Sequence, residues 1–439
     1  MGVYISVPFC RAKCTYCNFA SGVFAAERMD AYVDCVCSEM RGARAAAERM
    51  GAELPGVVDT IFFGGGTPSL LSAEQMRRLF AALRGEFEVA AGAEVTLECA
   101  PGQLGGETLE EMLRQGMNRV SFGVQSFVDR EAAGVGRLHT REMCLGEIAR
   151  MRAAGIADIN VDLIVGLPRQ TAATWRESVE VALETGVPHV SMYMLEVDED
   201  SRLGREVLGA GTKYGADAVP SEDETAEWYG AACEWLEGSG VRQYEISNFA
   251  RDRGRGQGGQ RGEANDGDSD SASQNDASKR GGGQRTDHRS RHNVKYWRRE
   301  PYVGFGLDAH SMLRTGEGAV RWANTDELEG YLEDRFEVRG SRFEVLSAKM
   351  DKPEVEVVGK EQGFEEAMFL GLRMNEGVDM EELRGEFGEG LMRDAVAAMG
   401  DVEEAGLVVR DGSWVRLTAR GRMASNEVFS RLLVGVVAS

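Results

Sequence analysis

The stretch Tyr4-Ile5-Ser6-Val7-Pro8-Phe9-Cys10-Arg11-Ala12-Lys13-Cys14-Thr15-Tyr16-Cys17-Asn18-Phe19 decides the fold. It holds an apolar, β-prone run, then thiols spaced C-x3-C-x2-C, and a helical pattern follows it. This reads as a first strand, a loop carrying three cysteines, and a helix. Three close thiolates can hold three irons of a [4Fe–4S] cluster by its corners, since soft sulfur ligands suit such clusters. The fourth iron then has no protein ligand nearby and can take a small molecule. A zinc site would need a fourth ligand, and the nearest histidine in the sequence is His139. A disulfide frame fits worse. Cys35, Cys37, Cys99, Cys144 and Cys233 are scattered through helix and strand patterns as small apolar residues.

Strand and helix patterns alternate from here. Residues 26–50 read as a helix, with Met29, Tyr32, Val33, Val36 and Met40 on one face. Val57 to Phe63 is an apolar run of buried-strand type, ending in Gly64-Gly65-Gly66-Thr67-Pro68-Ser69. Ser72 caps the next helix. Strands follow at 94–98, 119–125, 158–164 and 189–194, with helices near 108–115, 141–154 and 171–185. Six βα units with parallel strands predict an α/β fold, a partial (β/α)6 TIM-like barrel. A Rossmann sheet is the alternative. The glycine loop has no Lys, so it is no P-loop; glycines here let a ligand approach the backbone. Barrel enzymes place their sites at the C-terminal ends of strands. The polar residues there are Glu98, Gln125 and Asp162. A buried carboxylate must be paired or hydrogen-bonded, which suggests a ligand with hydroxyls and positive charge. A hydrogen bond to a neighbouring loop would serve as well.

The cysteine spacing resembles that of the radical S-adenosylmethionine (SAM) superfamily. In that family the open iron chelates SAM, and the cluster's electron splits SAM to a 5′-deoxyadenosyl radical. Further stretches narrow the likeness: Gly64 to Ser69, Gly123-Val124-Gln125-Ser126-Phe127, Gly136-Arg137-Leu138-His139, Asp162 to Pro168, Tyr244-Glu245-Ile246-Ser247-Asn248-Phe249-Ala250, and Arg291-His292-Asn293-Val294-Lys295-Tyr296-Trp297. With Gly304-Phe305-Gly306 and Ala309-His310-Ser311, these resemble the oxygen-independent coproporphyrinogen III oxidase family, over nearly the whole chain outside one insertion. That family has true oxidases and a heme-chaperone branch, HemW. Oxidases carry a fourth cysteine where this chain has Phe19, and a longer segment before the first strand. His292-Asn293-x-x-Tyr296-Trp297 is similar to the chaperone branch's H-N-x-x-Y-W motif.

The resemblance implies Cys10, Cys14 and Cys17 as cluster ligands and Tyr4, Tyr16, Gly65, Gly66, Thr67 and Glu98 as SAM contacts. Gln125, Arg137 and Asp162 match contacts to a second SAM in the oxidase. The planar fork of Arg137 suits a carboxylate. Imidazole is a good iron ligand, so the resemblance makes His292 the candidate heme ligand. Without it, His292 reads as a histidine hydrogen-bonded into the barrel's closing edge. His310 is a weaker candidate, in a segment whose glycines read as structural. The implied function is a heme chaperone that holds a [4Fe–4S] cluster, SAM and heme, taking electrons from a donor and passing heme to an acceptor protein. The alternative is oxidative decarboxylation of coproporphyrinogen III.

The organisation expected is a core barrel over 1–250, a disordered low-complexity insertion over 251–290, a barrel-closing segment over 291–345, and a small C-terminal helical, winged-helix-like domain over 346–439. The insertion is rich in Gly, Asp, Ser, Asn, Gln and Arg and has no apolar periodicity, so it cannot offset its ordering entropy. A net charge of -22 argues against broad nucleic-acid binding. No stretch approaches the ~18 apolar residues of a membrane span. Eight cysteines with no secretory pattern at the start point to a cytoplasmic location.

Overall fold

The computed structural model describes residues 1–252, 287–333 and 355–432. Six parallel strands lie side by side in chain order: β1 (Gly2–Val7), β2 (Val57–Gly65), β3 (Glu88–Cys99), β4 (Arg119–Gln125), β5 (Asp158–Val165) and β6 (His189–Met194). The helices between them are α1 (Glu27–Arg49), α2 (Ala73–Glu86), α3 (Gly106–Arg114), α4 (Asp129–Gly134), α5 (Arg141–Ala153) and α6 (Ala172–Glu184). A Rossmann sheet reverses its strand order at a switch point; this one does not, so the barrel reading holds. The helix starts follow local chemistry. Ser72 and Gln75 form a reciprocal capping box at α2, and Thr171 and Thr174 do the same at α6.

Each strand has two unlike faces. Val3, Ile5, Ile61, Phe63, Val95, Leu97, Val120, Phe122, Ile159 and Val161 pack outward into one core with Tyr32, Val36 and Met40 of α1. The alternate residues Tyr4, Phe62, Thr96, Glu98, Ser121, Asn160, Asp162, His189 and Ser191 face a common interior cavity. Side chains of a strand point to opposite faces in turn, so an apolar outer wall and a polar inner wall are written in the same segments. β3 starts at Glu88, well before its apolar run, because Glu88 and Val89 pair with Val57 and Val58.

After β6 come α7 (Arg202–Leu208), α8 (Glu222–Gly238), β7 (Arg242–Gln243) and β8 (Asn248–Ala250), with β8 antiparallel to β6. The expected insertion falls largely outside the described residues. At its two ends, Asp252 and Asp287 pair in an antiparallel bridge, and residues 287–290 lead into the barrel. His288 reaches Asp158 at 2.5 Å, and Arg119 donates to the His288 carbonyl at 2.9 Å. Ser290 caps α9 (Arg291–Trp297) by accepting from the Asn293 N–H. Helix α9 closes the N-terminal end of the barrel: the His292 N–H donates to Glu94, and Lys295 and Arg291 reach Asp59.

Next come β9 (Tyr302–Phe305), β10 (His310–Arg314), β11 (Ala319–Ala323), α10 (Leu328–Glu333) and β12 (Glu356–Val358). β9 joins the sheet parallel to β1, and β10, β11 and β12 extend that edge antiparallel. Since β12 pairs with the barrel sheet, the smaller domain's own elements begin at Lys360. They are α11 (Lys360–Arg373), β13 (Val378–Asp379), α12 (Met380–Phe387), α13 (Glu389–Glu404), β14 (Val408–Asp411), β15 (Trp414–Leu417), α14 (Ala419–Met423) and α15 (Ser425–Leu432). A three-stranded sheet ordered β13-β15-β14 flanks the helices, and Phe364, Met368, Phe387 and Met399 build a separate core, in winged-helix style. This domain rests on α9. The Arg373 guanidinium lies 4.3 Å from the Trp297 ring centroid, and Arg298 pairs with Glu376 at 3.1 Å. Among the described residues no helix is long and apolar enough to cross a membrane.

Candidate functional site

The cysteine loop leaves the C-terminal end of β1 and is tied down along its length. The Cys10 N–H donates to the Gly22 carbonyl at 2.8 Å, Thr15 N–H to Val135 at 3.0 Å, and Leu203 N–H to Thr15 at 2.7 Å. All three thiols are free, and Cys14 is buried. The Thr67 hydroxyl donates to the Cys10 sulfur at 3.7 Å, and Arg137 Nη1 reaches the Cys14 sulfur at 3.5 Å. Cys17 lies 3.9 Å from the Ser21 hydroxyl. Burial pushes the Cys10 thiol above its ordinary range, so its thiolate needs a positive partner.

Three free thiols on one short loop are the donor set that a cubane cluster with one open iron would take. The glycine loop stands against the same site. A Cβ on Gly66 would lie 2.9 Å from the Cys10 sulfur and 2.9 Å from the Val7 carbonyl oxygen, and Gly65 has φ +101°. Only glycine fits so close an approach in that conformation.

The cavity inside the barrel has a volume of about 510 Å³ and runs from the cysteine loop down to α9. Tyr4, Cys10, Cys14, Tyr16, Cys17, Gly65, Gly66, Thr67, Glu98, Gln125, Arg137, Asp162 and His292 all line it, although they span most of the chain. Burial, and then the charge of Asp162, push Glu98 up to about 8, against one favourable N–H from Gly65. Burial also raises Asp162, which accepts from the Ser121 hydroxyl at 3.0 Å and from Asn160 Nδ2 at 2.7 Å. Arg137 Nη2 donates to the Gly123 carbonyl. Three lining atoms are buried with no hydrogen-bond partner among the described residues: Thr96 Oγ1, Gln125 Oε1 and Arg137 Nε. Gln125 sits at φ +67°, a costly conformation for a side chain with a Cβ. Two buried carboxyls, an open amide oxygen and a guanidinium suit a ligand that brings hydroxyls, a carboxylate and a positive centre. SAM carries all three.

His292, the candidate heme ligand, lines the cavity from below. It is 1% exposed on the lumen floor. Its Nδ1 lies 2.9 Å from the Thr60 hydroxyl and its Nε2 2.8 Å from the Tyr296 hydroxyl. Burial holds the ring neutral, its pKa lowered to about 3, and it stacks on Phe62 with centroids 5.2 Å apart. Each ring nitrogen thus faces a hydroxyl, Thr60 on one side and Tyr296 on the other.

The lumen also holds residues that the strand-end rule passes over. Asn160 links Ser121, Asp162 and Ser191, and His189 bridges Asn160 at 2.6 Å to the Tyr244 hydroxyl at 2.9 Å. The signal for them was present: Arg119, Ser121, Asn160, His189 and Ser191 are polar residues at alternate positions in otherwise apolar parallel strands. On the outside of the site, Phe19 is 64% exposed.

A model of the radical SAM superfamily matches residues 4–182, and a model of the HemN C-terminal domain matches residues 359–424. The chain is 30% identical over 431 residues to the heme chaperone HemW of Bacillus subtilis, covering 98% of both chains. It is 31% identical over 394 residues to the heme chaperone HemW of Synechocystis sp., covering 87% of this chain and 79% of the relative. Among solved structures it is similar to coproporphyrinogen III oxidase (HemN) from Escherichia coli, with a TM-score of 0.73. That likeness covers 99% of this chain and 90% of the other at 19% identity, so it speaks to the fold alone. By this full-length kinship and its cysteine loop, the chain belongs to the radical SAM superfamily and, within it, to the family whose named members are the HemW proteins.

Proposed function

We propose that this chain is a heme chaperone that holds a [4Fe–4S] cluster on Cys10, Cys14 and Cys17, binds SAM in the lumen, and passes heme to an acceptor protein. It works in the cytoplasm and takes electrons from a separate donor. The observation that carries the reading is the end-to-end match to HemW relatives, and Phe19, in place of the oxidases' fourth cysteine, agrees with it. When bound, the cluster supplies an electron to SAM and an open iron for its amino and carboxylate groups. The chain's own residues do the rest. Gly65, Gly66 and Thr67 let SAM approach the backbone. Glu98 and Asp162 accept its hydroxyl groups and balance its positive charge. Arg137 offsets thiolate charge at Cys14 and offers its fork to a carboxylate.

A second reading draws on the same residues. Gln125, Arg137 and Asp162 line the lumen together, and in the oxidase family their counterparts contact a second SAM. That would suit oxidative decarboxylation of coproporphyrinogen III. One pair of experiments on the anaerobically reconstituted protein separates the readings. Hemin is titrated in, and coproporphyrinogen III is incubated with SAM and a reductant. Saturable hemin binding near one equivalent without porphyrinogen turnover is expected. Robust turnover would replace the chaperone with the oxidase.

A further inference from the structure

One row of side chains crosses the lower lumen from strand to strand. Tyr4 on β1 is in register with Phe62 on β2, Phe62 with Thr96 on β3, Thr96 with Arg119 on β4, and Arg119 with Asp158 on β5. The first half of the row is aromatic. Tyr4 and Phe62 stack with centroids 6.0 Å apart, and the His292 ring of α9 lies 5.2 Å from Phe62.

The second half is polar, and its donors are unspent. Thr96 lines the cavity and is 0% exposed, yet its hydroxyl has no hydrogen-bond partner among the described residues. Arg119 also lines the cavity and is 2% exposed. Its Nη1 donates to the His288 carbonyl at 2.9 Å. Among the described residues, its Nε and Nη2 make no hydrogen bond, and its guanidinium joins no ion pair. The nearby carboxylates are engaged elsewhere: Asp158 meets His288 at 2.5 Å, and Glu94 accepts the His292 N–H at 3.0 Å. Arginine is almost never buried without an anion, because nothing else offsets the loss of its hydration. A guanidinium and a hydroxyl on neighbouring strands are together a site for a carboxylate, which accepts from the planar fork through both oxygens. Arg119 stands two strand spacings, roughly 10 Å, from Phe62. A ligand that spans the row is therefore flat and apolar against the aromatic half and carries a carboxylate at its edge.

We propose that Arg119 and Thr96 form a carboxylate site at the foot of the lumen, and that it holds a propionate of heme while the ring lies against Phe62 and His292. This rests on the heme-chaperone reading and adds to it the group that orients the ligand. The test titrates hemin, and separately hemin dimethyl ester, into the anaerobically reconstituted full chain and follows the Soret band. The ester keeps the ring and the iron and masks both propionates. It compares wild type, Arg119→Gln, Arg119→Lys and the near-isosteric Thr96→Val, with SAM binding measured by calorimetry on each. Wild type should prefer hemin to the ester by about tenfold or more. Arg119→Gln should lose that preference, Thr96→Val should reduce it, and Arg119→Lys should keep part of it. If wild type binds neither porphyrin, the heme reading itself fails. If wild type binds both equally, or the Gln and Val variants keep the full preference, the heme reading stands and the propionate site is overturned. Variants that lose SAM while keeping the preference for hemin would give the carboxylate site to SAM and overturn it too.

Discussion

Replacing Glu98 with glutamine should stabilise the ligand-free protein at alkaline pH and weaken SAM binding together. Burial and the Asp162 charge raise this carboxyl from 4.5 to about 8. In the unfolded chain it ionises near its ordinary value, so above that pH the folded state either keeps a proton or strands a charge. Stability is therefore full below pH 4.5, falls as the pH climbs to about 8, and levels off above it. At about 1.4 kcal/mol per pH unit, that window amounts to roughly 5 kcal/mol. Lumen water reaches Glu98, which is only half-buried, and its screening makes this an upper bound. Denaturant titrations of wild type and Glu98→Gln at about pH 5 and about pH 8.5 expose the effect, because titrating groups distant from Glu98 cancel in the difference. The two proteins should differ by under about 1 kcal/mol at the lower pH, with the variant ahead by about 2–5 kcal/mol at the higher. Calorimetric titration should show weaker SAM binding in the variant by about tenfold or more, since hydrogen bonds to a charged group are worth about 1.5–3 kcal/mol. Wild type should also release up to one proton on binding near neutral pH, and the variant none. Parallel stability curves across the range would show that Glu98 does not titrate there, and the electrostatic account of the site would fall with it.

Three further outcomes follow from the geometry. Cys14→Ala should abolish the brown chromophore and bring iron and sulfide to background after anaerobic reconstitution; unchanged metal content would refute the cluster assignment. In wild type, cluster loading should weaken as the pH falls, because protons compete for the thiolates. Arg373→Ala removes the cation on Trp297 and leaves Glu245, which is 0% exposed, without its ion-pair partner at 3.6 Å. Breaking such a buried pair should cost about 3 kcal/mol and loosen the C-terminal domain, seen as an early phase in thermal unfolding and faster proteolysis beyond Lys360. A change under about 0.5 kcal/mol, the size of an ordinary surface substitution, would mean the contact does not hold that domain.

The barrel was legible in the sequence because each wall strand has one apolar face that must meet a helix. Val120 and Phe122, or Ile159 and Val161, mark a strand by themselves. The short edge strands were not legible: β7 and β8 form through pairing with neighbours and are too short to carry a period. The cysteine loop and the glycine loop were legible because their chemistry is local. Thiols four and three residues apart, or three glycines in a row, constrain a ligand before any fold is known. His292 was the opposite case. A histidine in a short motif cannot reveal whether its nitrogens are free, because that depends on Thr60, 232 residues away, and on how α9 seats beneath the strands.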